Sequence, residues 1–368
     1  MKRVLTVVGA RPQMIKASAL SRVLGDVSFG IEERILHTGQ HSSYNMSGCF
    51  VDGLKLPPAH HMLDVASQPA LRMGQMMSGI MEAITKDAPD AVILYGDTDS
   101  TLAGAWAASR MQTPVVHIEA GLRSFDRTMP EEINRILTDA LSDVLFCPSQ
   151  AALNLLTKEG IKTGGRPGVQ VTISGDLMLD TARRFGGEPQ PISAEAKTVL
   201  LTLHRPSNVD NPERLRVWLE SAGAVAKSMG WRLHFPVHPR TAKVAERIYG
   251  GAWRSQLQSF GIDSQEPAGY QQMLNWLKEV RQVWTDSGGL QKEAYFMGRP
   301  SLVLREATEW VELIQHGVTR LCPDPGELEK AAIAMDKGYD DMDFSFPLYG
   351  DGKAALHIAQ TLREWLNR

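Results

Sequence analysis

Three carboxylates stand where an α/β chain would turn them toward a ligand: Asp97 in YGDTDSTLAG (95–104), Glu119 in HIEAGLRS (117–124) and Glu131 in RTMPEEINRILTDALSDV (127–144). The first two follow the apolar runs DAVIL and PVVHI, and the third lies in the first turn of a helix signalled by Pro130. Carboxylates so placed can take up and return protons, which is general acid/base chemistry. Two of them also have an ordinary structural explanation. Asp97 and its neighbours can cap the helix that begins near Ser100, and a glutamate in the first turn of a helix stabilises it by about 0.3–1 kcal/mol. Surface placement, however, would scatter such residues, whereas these fall at successive strand ends or first helical turns. On the Pro130 helix Ile133, Ile136, Leu137, Ala140 and Leu141 form the apolar face, Glu131 and Arg135 share a flank, and Glu132 points elsewhere.

Other residues suit a phosphate. GARPQMIK (9–16) carries Arg11 and Lys16 where a dinucleotide site would carry the glycines of G-x-G-x-x-G. The second strand, ERILHTGQH, ends in His37, Gln40 and His41, with no acidic residue for an adenosine ribose, so nicotinamide binding is disfavoured. Arg11 and Lys16 read either as an exposed helix start with a solvated lysine or as cations facing a ligand. LTLHRPSN (201–208) sets His204 and Arg205 directly after a strand, and FPVHPRT adds His238 at the next strand end. In VWTDSGGLQKEA (283–294) a strand breaks at Ser287-Gly288-Gly289 and a helix starts at once, offering N–H groups and the positive end of its dipole to a phosphate. Glu293, one turn on, could reach a ribose diol; a plain Gly-rich loop is the alternative.

The elements that must position these residues alternate. Apolar strand-like runs at 3–8, 33–38, 90–96, 114–120, 143–148 and 169–175 are separated by helix-length amphipathic stretches, which implies a parallel sheet covered on both faces. Periodicity is lost around residues 185–197, where Gly and Pro gather, and resumes with strands at 197–204, 232–239, 281–288, 300–306 and 318–323. The expected fold class is α/β, with two Rossmann-like doubly wound domains facing a cleft. The expected division is 1–187, a domain with the carboxylates; 188–350, a domain with the phosphate loop; and 351–368, a C-terminal helix crossing back to the first domain.

With 368 residues, 43% apolar and 22% charged, and a formal net charge of −3, the chain has the composition of a soluble globular protein and no electrostatic footprint for nucleic acid. No apolar stretch approaches the roughly 20 residues of a membrane span, and a strand begins too early to leave room for a signal peptide, so the expected location is the cytoplasm. Cys49, Cys147 and Cys322 read as buried thiols, not as a disulfide framework or a zinc site, and no metal-ligand cluster is evident. A diphosphate cradle, two cations, several carboxylates and a histidine fit a nucleotide-sugar whose diphosphate is the leaving group.

In their order GARPQMIK, TGQH, YGDTDST, HIEAGLRS, PEEINR, LTLHR, PVHPR, TDSGGLQKEA and YGDG resemble, across nearly the whole chain, the non-hydrolysing UDP-N-acetylglucosamine 2-epimerase family. The resemblance implies a GT-B-like fold, a homodimer and no cofactor. It also implies a partner, a UDP-activated 2-acetamido sugar, whose C2 is inverted by elimination of UDP to a 2-acetamidoglucal and re-addition. Matched to the family motifs, Asp97, Glu119, Glu131 and His204 are the catalytic candidates. Arg11, Lys16, Arg135, His238, Ser287, Gly288 and Gly289 would hold the diphosphate and Glu293 the ribose.

Two departures stand out. HRPSN places Ser207 where the family usually has the glutamate of H-R-x-E-N, and EATEWVELIQHG has Trp310-Val311 where the common branch reads T-E-R-P-E. GARPQ, NMSGCF and TEWVEL together look like the branch acting on UDP-2,3-diacetamido-2,3-dideoxyglucuronate, the close rival substrate. A hydrolysing epimerase, a GT-B glycosyltransferase and a nucleotide-sugar sensor without turnover are the other readings.

Overall fold

Side-chain alternation along the first strand organises the first half of the chain. Strand β1 (Lys2–Val8) sends Val4 and Val8 to one face and Leu5 and Val7 to the other, all four buried. A strand apolar on both faces must be covered on both. It is joined by β2 (Ile31–His37), β3 (His61–Met62), β4 (Ala91–Tyr95), β5 (Val115–Ile118), β6 (Val144–Cys147) and β7 (Gln170–Ile173). The sheet order is β3-β2-β1-β4-β5-β6-β7, with every neighbouring pair parallel. The computed structural model describes residues 1–40, 54–165 and 168–368, so His41, Cys49 and the NMSGCF segment lie outside the described residues.

The described helices of this half are α1 (Arg11–Leu24), α2 (Pro69–Asp87), α3 (Asp99–Arg110), α4 (Pro130–Leu141), α5 (Gln150–Lys158) and α6 (Leu177–Gly186). Met76 and Ile80 of α2 and Ala103 and Ala107 of α3 cover Leu5, Val7, Val92 and Leu94 on one face of the sheet.

The second sheet follows the same plan: β8 (Thr198–Thr202), β9 (Arg232–Pro236), β10 (Ile262–Gln265), β11 (Gln282–Thr285), β12 (Ser301–Val303) and β13 (Thr319–Leu321), in the order β10-β9-β8-β11-β12-β13, all parallel. Its helices are α7 (Pro206–Val209), α8 (Pro212–Ser228), α9 (Pro239–Tyr249), α10 (Trp253–Ser259), α11 (Tyr270–Glu279), α12 (Gly288–Phe296), α13 (Val311–Gln315) and α14 (Leu328–Lys337). Trp218, Leu219, Phe235 and Trp284 anchor its core.

Two units result, Met1–Thr181 with Pro347–Arg368, and Ala182–Phe346. The last helix, α15 (Ala354–Leu366), packs with the first unit: Ile358, Ala359 and Leu362 share a core with Met14 and Leu20 of α1. Asp180 accepts the Ala354 and Ala355 N–H groups at 3.0 and 2.8 Å, satisfying two orphan donors where α15 begins.

Cys147 and Cys322 are free, buried thiols, and burial pushes the Cys322 thiol up to about 11. Two strands carry no apolar run that periodicity could register: β3 has two residues, and β10 reads IDSQ with Asp263 exposed, an edge strand paired on one side. The larger surprise is α4. It has the apolar face the sequence displays, but that is not the face that is buried. Glu132, Asn134, Arg135, Thr138 and Asp139 are buried, whereas Leu137 is 44% exposed.

Candidate active site

In each sheet the strand order turns at one place, between β1 and β4 in the first and between β8 and β11 in the second. Chain segments leave such a switch point toward opposite faces, opening a crevice at the carboxyl ends, where doubly wound folds bind ligands. The segments there are Gly9–Ala10 and Gly96–Asp97 in the first unit, and Leu203–His204 and Asp286–Ser287 in the second.

In the first unit Gln13, buried in α1, ties the two turns together. Its Oε1 accepts the N–H groups of Gly9 and Ala10 at 2.8 and 3.0 Å, and its Nε2 donates to the Tyr95 carbonyl at 3.0 Å and to Thr101 Oγ1 at 2.9 Å. Arg11 opens α1 and is half-buried, but Lys16 one turn on is buried, its ammonium paired with the Glu119 carboxylate. It is therefore not a solvated lysine. Glu119 follows β5 with φ of +70°, a region non-glycine residues rarely enter and one that recurs at functional sites. Gly96, at φ +63°, faces the pair: a Cβ there would lie 3.0 Å from Glu119 Oε2 and 3.4 Å from Lys16 Nζ.

Asp97 does not cap α3. Thr98 is the N-cap, and the Asp97 carboxylate accepts from Arg135 Nη2 at 2.6 Å while its carbonyl accepts from Asn134 Nδ2 at 2.9 Å. Arg135 Nη1 donates to Glu132 Oε2 at 2.8 Å, so the glutamate read as pointing elsewhere is the one on the buried face. Glu132 also accepts the N–H groups of Ser124 and Phe125 at 2.8 and 3.0 Å. Burial works against its charge, yet these donors with Arg135 outweigh it and hold the carboxyl below the usual range. Glu131 is half-buried in the first turn of α4. The structure thus gathers Lys16, Glu119, Asp97 and Arg135 about Gly96, with Arg11 and Glu131 opening α1 and α4.

In the second unit the organiser is Asp286, fully buried after β11, which sequence reasoning passed over inside TDSGG. Its carboxylate accepts the His204 N–H at 3.0 Å on both oxygens, the Arg205 N–H at 2.9 Å and Asn208 Nδ2 at 3.2 Å, and lies 3.2 Å from His204 Nδ1. An acidic residue at a strand end next to a glycine pair was the available signal. His238 caps α9, and its Nδ1 accepts the Arg240 N–H at 3.1 Å, which leaves the hydrogen on Nε2. The His204 and His238 rings are 5.5 Å apart. Burial lowers both pKa values first; nearby arginines add to this at His204, and at His238 the neighbouring imidazole does. Both rings are therefore held toward the neutral form.

Ser287 caps α12, Gly288 and Gly289 are its first two residues, and buried Glu293 follows one turn later. Early N–H groups of a helix have no intrahelical acceptor, and the dipole favours an anion there. The TEWVEL segment packs on this helix start. Glu309 lies where a Gly288 Cβ would be, Trp310 Nε1 donates to the Gly288 carbonyl at 3.0 Å, and Lys292 Nζ sits 3.9 Å from the centre of the Trp310 ring system. Ser207 is exposed on α7. Among the described residues no cluster of three or more His, Cys, Asp or Glu side chains could hold a metal ion, and no helix is long and apolar enough to cross a membrane.

The chain as a whole is similar to known proteins. The profile of a family described as UDP-N-acetylglucosamine 2-epimerase matches residues 27–363. A Pseudomonas aeruginosa protein named UDP-2,3-diacetamido-2,3-dideoxy-D-glucuronate 2-epimerase is 40% identical over 98% of this chain and 99% of its own. A Methanocaldococcus jannaschii UDP-N-acetylglucosamine 2-epimerase is 35% identical over 97% of each. The crystal structure of a UDP-GlcNAc 2-epimerase from that organism, in complex with UDP-GlcNAc and UDP, aligns at a TM-score of 0.85 and 34% identity over 99% of this chain and 100% of that one. With a profile match over most of its length and relatives this similar end to end, the chain belongs to the UDP-N-acetylglucosamine 2-epimerase family.

Proposed function

We propose that this chain inverts C2 of a UDP-activated 2-acetamido sugar without hydrolysing it. One observation carries the reading at the level of chemistry: Asp97 and Glu119, at the carboxyl ends of the adjacent strands β4 and β5, are each set against a buried cation, Arg135 and Lys16. The hydrogen at C2 is not acidified by a neighbouring carbonyl, so a direct proton swap is closed to it. Removing that proton while the C1–O bond to UDP breaks gives a 2-acetamidoglucal and UDP. Protonation of C2 from the other face, with return of a UDP oxygen to C1, gives the epimer. Asp97, Glu119 and Glu131 exchange the protons, with His204 beside them in role. Arg11, Lys16, Arg135, His238, Ser287, Gly288 and Gly289 stabilise the charge that develops on the departing diphosphate, and Glu293 takes the ribose. Nothing is oxidised or reduced, and the reaction calls for no redox cofactor.

Two substrates compete. UDP-N-acetylglucosamine is the simplest, interconverting gluco and manno forms for polysaccharide precursors made in the cytoplasm. UDP-2,3-diacetamido-2,3-dideoxyglucuronate is favoured by the name of the 40% identical relative and by the packing of Trp310 on the start of α12. Proton NMR of the protein in D₂O with each sugar nucleotide separates them: the substrate gains deuterium at C2 and an epimer signal. Silence with both overturns the reading, release of free sugar makes the enzyme hydrolysing, and turnover only with an acceptor makes it a transferase.

The working species in this proposal is a homodimer. The outward apolar stripe of α4, with Leu137 44% exposed, and Trp106, 41% exposed on the neighbouring α3, offer a second copy of the chain a surface that water does not favour.

A further inference from the structure

HIEAGLRS contributes Glu119 to the chemistry above, but its histidine lies deeper. His117 belongs to β5, a strand otherwise filled by Val115, Val116 and Ile118, and it is fully buried. A polar ring there has to be fully hydrogen-bonded to be tolerated. It is, and its partners are specific. Nε2 lies 2.8 Å from the carbonyl oxygen of Gly96, which can only accept, so this nitrogen donates. Nδ1 lies 2.7 Å from Asp139 Oδ1.

Each partner leads to one of the two carboxylates. Gly96 is joined by a single peptide to Asp97, and the Gly96 N–H is bound to the Ile118 carbonyl at 2.9 Å, so this glycine is clamped to β5 from both ends. The other oxygen of Asp139 accepts the Gly121 N–H at 3.2 Å, two residues beyond Glu119, and Arg123 Nη1 at 2.7 Å. Arg123, itself buried, continues to Glu159 through bonds of 2.8 and 2.6 Å. Asp139 stands four residues after Arg135 and eight after Glu131, a spacing that puts all three on one side of α4. One imidazole therefore joins the turn that carries Asp97, the turn that carries Glu119 and the helix that carries Arg135.

We propose that His117 is a positioning residue for the Asp97 and Glu119 carboxylates, acting through Gly96 and Asp139 and never touching substrate. This rests on the reaction proposed above. Glu119 is held in a left-handed conformation that its own residue type disfavours, so its carboxylate keeps its place only while the surrounding turn is over-determined. Loss of the bridge lets both carboxylates shift, and displacement on the order of 1 Å can cost about 100-fold in rate.

The test uses the full chain and two variants. His117→Phe keeps an aromatic ring of somewhat larger size and removes both hydrogen bonds, and the smaller His117→Asn retains a donor. C2 deuterium incorporation gives kcat and KM on whichever substrate the wild-type protein turns over, calorimetry gives the UDP affinity, and circular dichroism gives the melting curve. The expected result is a loss of kcat of about 100-fold in His117→Phe and a smaller loss in His117→Asn, with KM and UDP affinity within about threefold of wild type. If His117→Phe fails to fold, His117→Asn decides alone. A folded variant with wild-type kcat overturns the proposal, and so does a variant that loses UDP affinity as steeply as kcat, because that is general damage. Wild-type silence on both sugar nucleotides overturns the reaction itself, and the two failures are told apart by the wild-type control.

Discussion

Arg135 grips two carboxylates at once, Asp97 at 2.6 Å through Nη2 and Glu132 at 2.8 Å through Nη1. Asp97 is about a third exposed, whereas Glu132 is almost wholly buried and bound to the backbone of Ser124 and Phe125. The guanidinium fork thus references a carboxylate at the ligand edge to a fixed point inside the unit. Geometry of this kind needs donors fixed in a rigid planar fork, which the freely rotating ammonium of lysine lacks.

Arg135→Lys is accordingly expected to lose about 100-fold in the rate of C2 exchange, since one ammonium cannot satisfy both partners in place. Arg135→Met should do more, because it leaves the buried Glu132 with its backbone donors but no countercharge, and breaking a buried pair costs up to about 3–5 kcal/mol in stability. Deuterium incorporation and thermal melts measure the two effects. An Arg135→Lys protein with wild-type exchange would show that the fork plays no part in the chemistry.

How much of this was legible in the sequence follows from what each residue does. Strand runs and the residues just after them could be read, because parallel strands are apolar on both faces and stop where the chain turns polar. Asp97, Glu119, His204 and Ser287 stand out as candidates in that way. Gln13, His117 and Asp286 do not stand out, and Glu132 reads as pointing elsewhere, because each acts by bonding backbone groups outside its own turn. Nothing local in the chain displays such partners. The helix α4 misleads for a related reason. Periodicity shows that a helix has two faces but not which one is buried, and here His117 of β5 and the turns that follow β4 and β5 claim the polar side.

The two glycines that open α12 make a paired test. At Gly288 a Cβ would run into the Glu309 carboxylate, itself buried and 3.3 Å from Arg305, while at Gly289 nothing lies within 4 Å of the added atom. Gly288→Ala should weaken UDP binding by at least about tenfold as the helix start is pushed away, roughly 1.4 kcal/mol. Gly289→Ala keeps its N–H and meets open space, and should bind UDP nearly as the wild type does. Calorimetry with UDP decides, and two variants that both bind UDP as the wild type does would sever the link between this helix start and the diphosphate.

Glu132 and Glu33 carry opposite pH signatures. Glu132 has its folded pKa lowered, so its stabilisation is present above the ordinary glutamate value of 4.5 and is lost as pH falls through the lower folded value. Glu33 is raised because burial outweighs the hydrogen bond from Thr6, so its contribution is complete below 4.5 and is lost as pH rises toward the folded value. At pH 7, Glu132→Gln should melt below wild type and Glu33→Gln above it. Both differences should shrink below about pH 4, where the carboxyls protonate. Melting curves from pH 3.5 to 8 read the signs directly, and a Glu33→Gln protein less stable than wild type at pH 7 would contradict the burial argument.

The reversed helix supplies the test of assembly. In α4 the buried positions Glu132, Arg135 and Asp139 are bonded to Ser124, Asp97 and His117, which leaves Ile133, Ile136, Leu137 and Ala140 on the outward side. A helix whose apolar stripe faces water loses the hydrophobic stabilisation that ordinarily holds it, about 25 cal/mol for each Å² left uncovered. A second copy of the chain, bringing the same stripe and the same Trp106, would cover it with a self-complementary patch, as a two-fold interface requires. Leu137→Glu places a charge in the middle of that stripe without touching any residue of the site. The wild-type protein is expected to sediment as a dimer at micromolar concentration, and Leu137→Glu as a monomer with an unchanged circular dichroism spectrum. A wild-type monomer, or a dimer that survives Leu137→Glu, would assign the exposed stripe to something other than self-association. The candidate site and the apolar stripe occupy opposite sides of one helix, so a monomeric variant would also separate them: if C2 exchange falls with dissociation, the second copy stiffens the helix that carries Arg135.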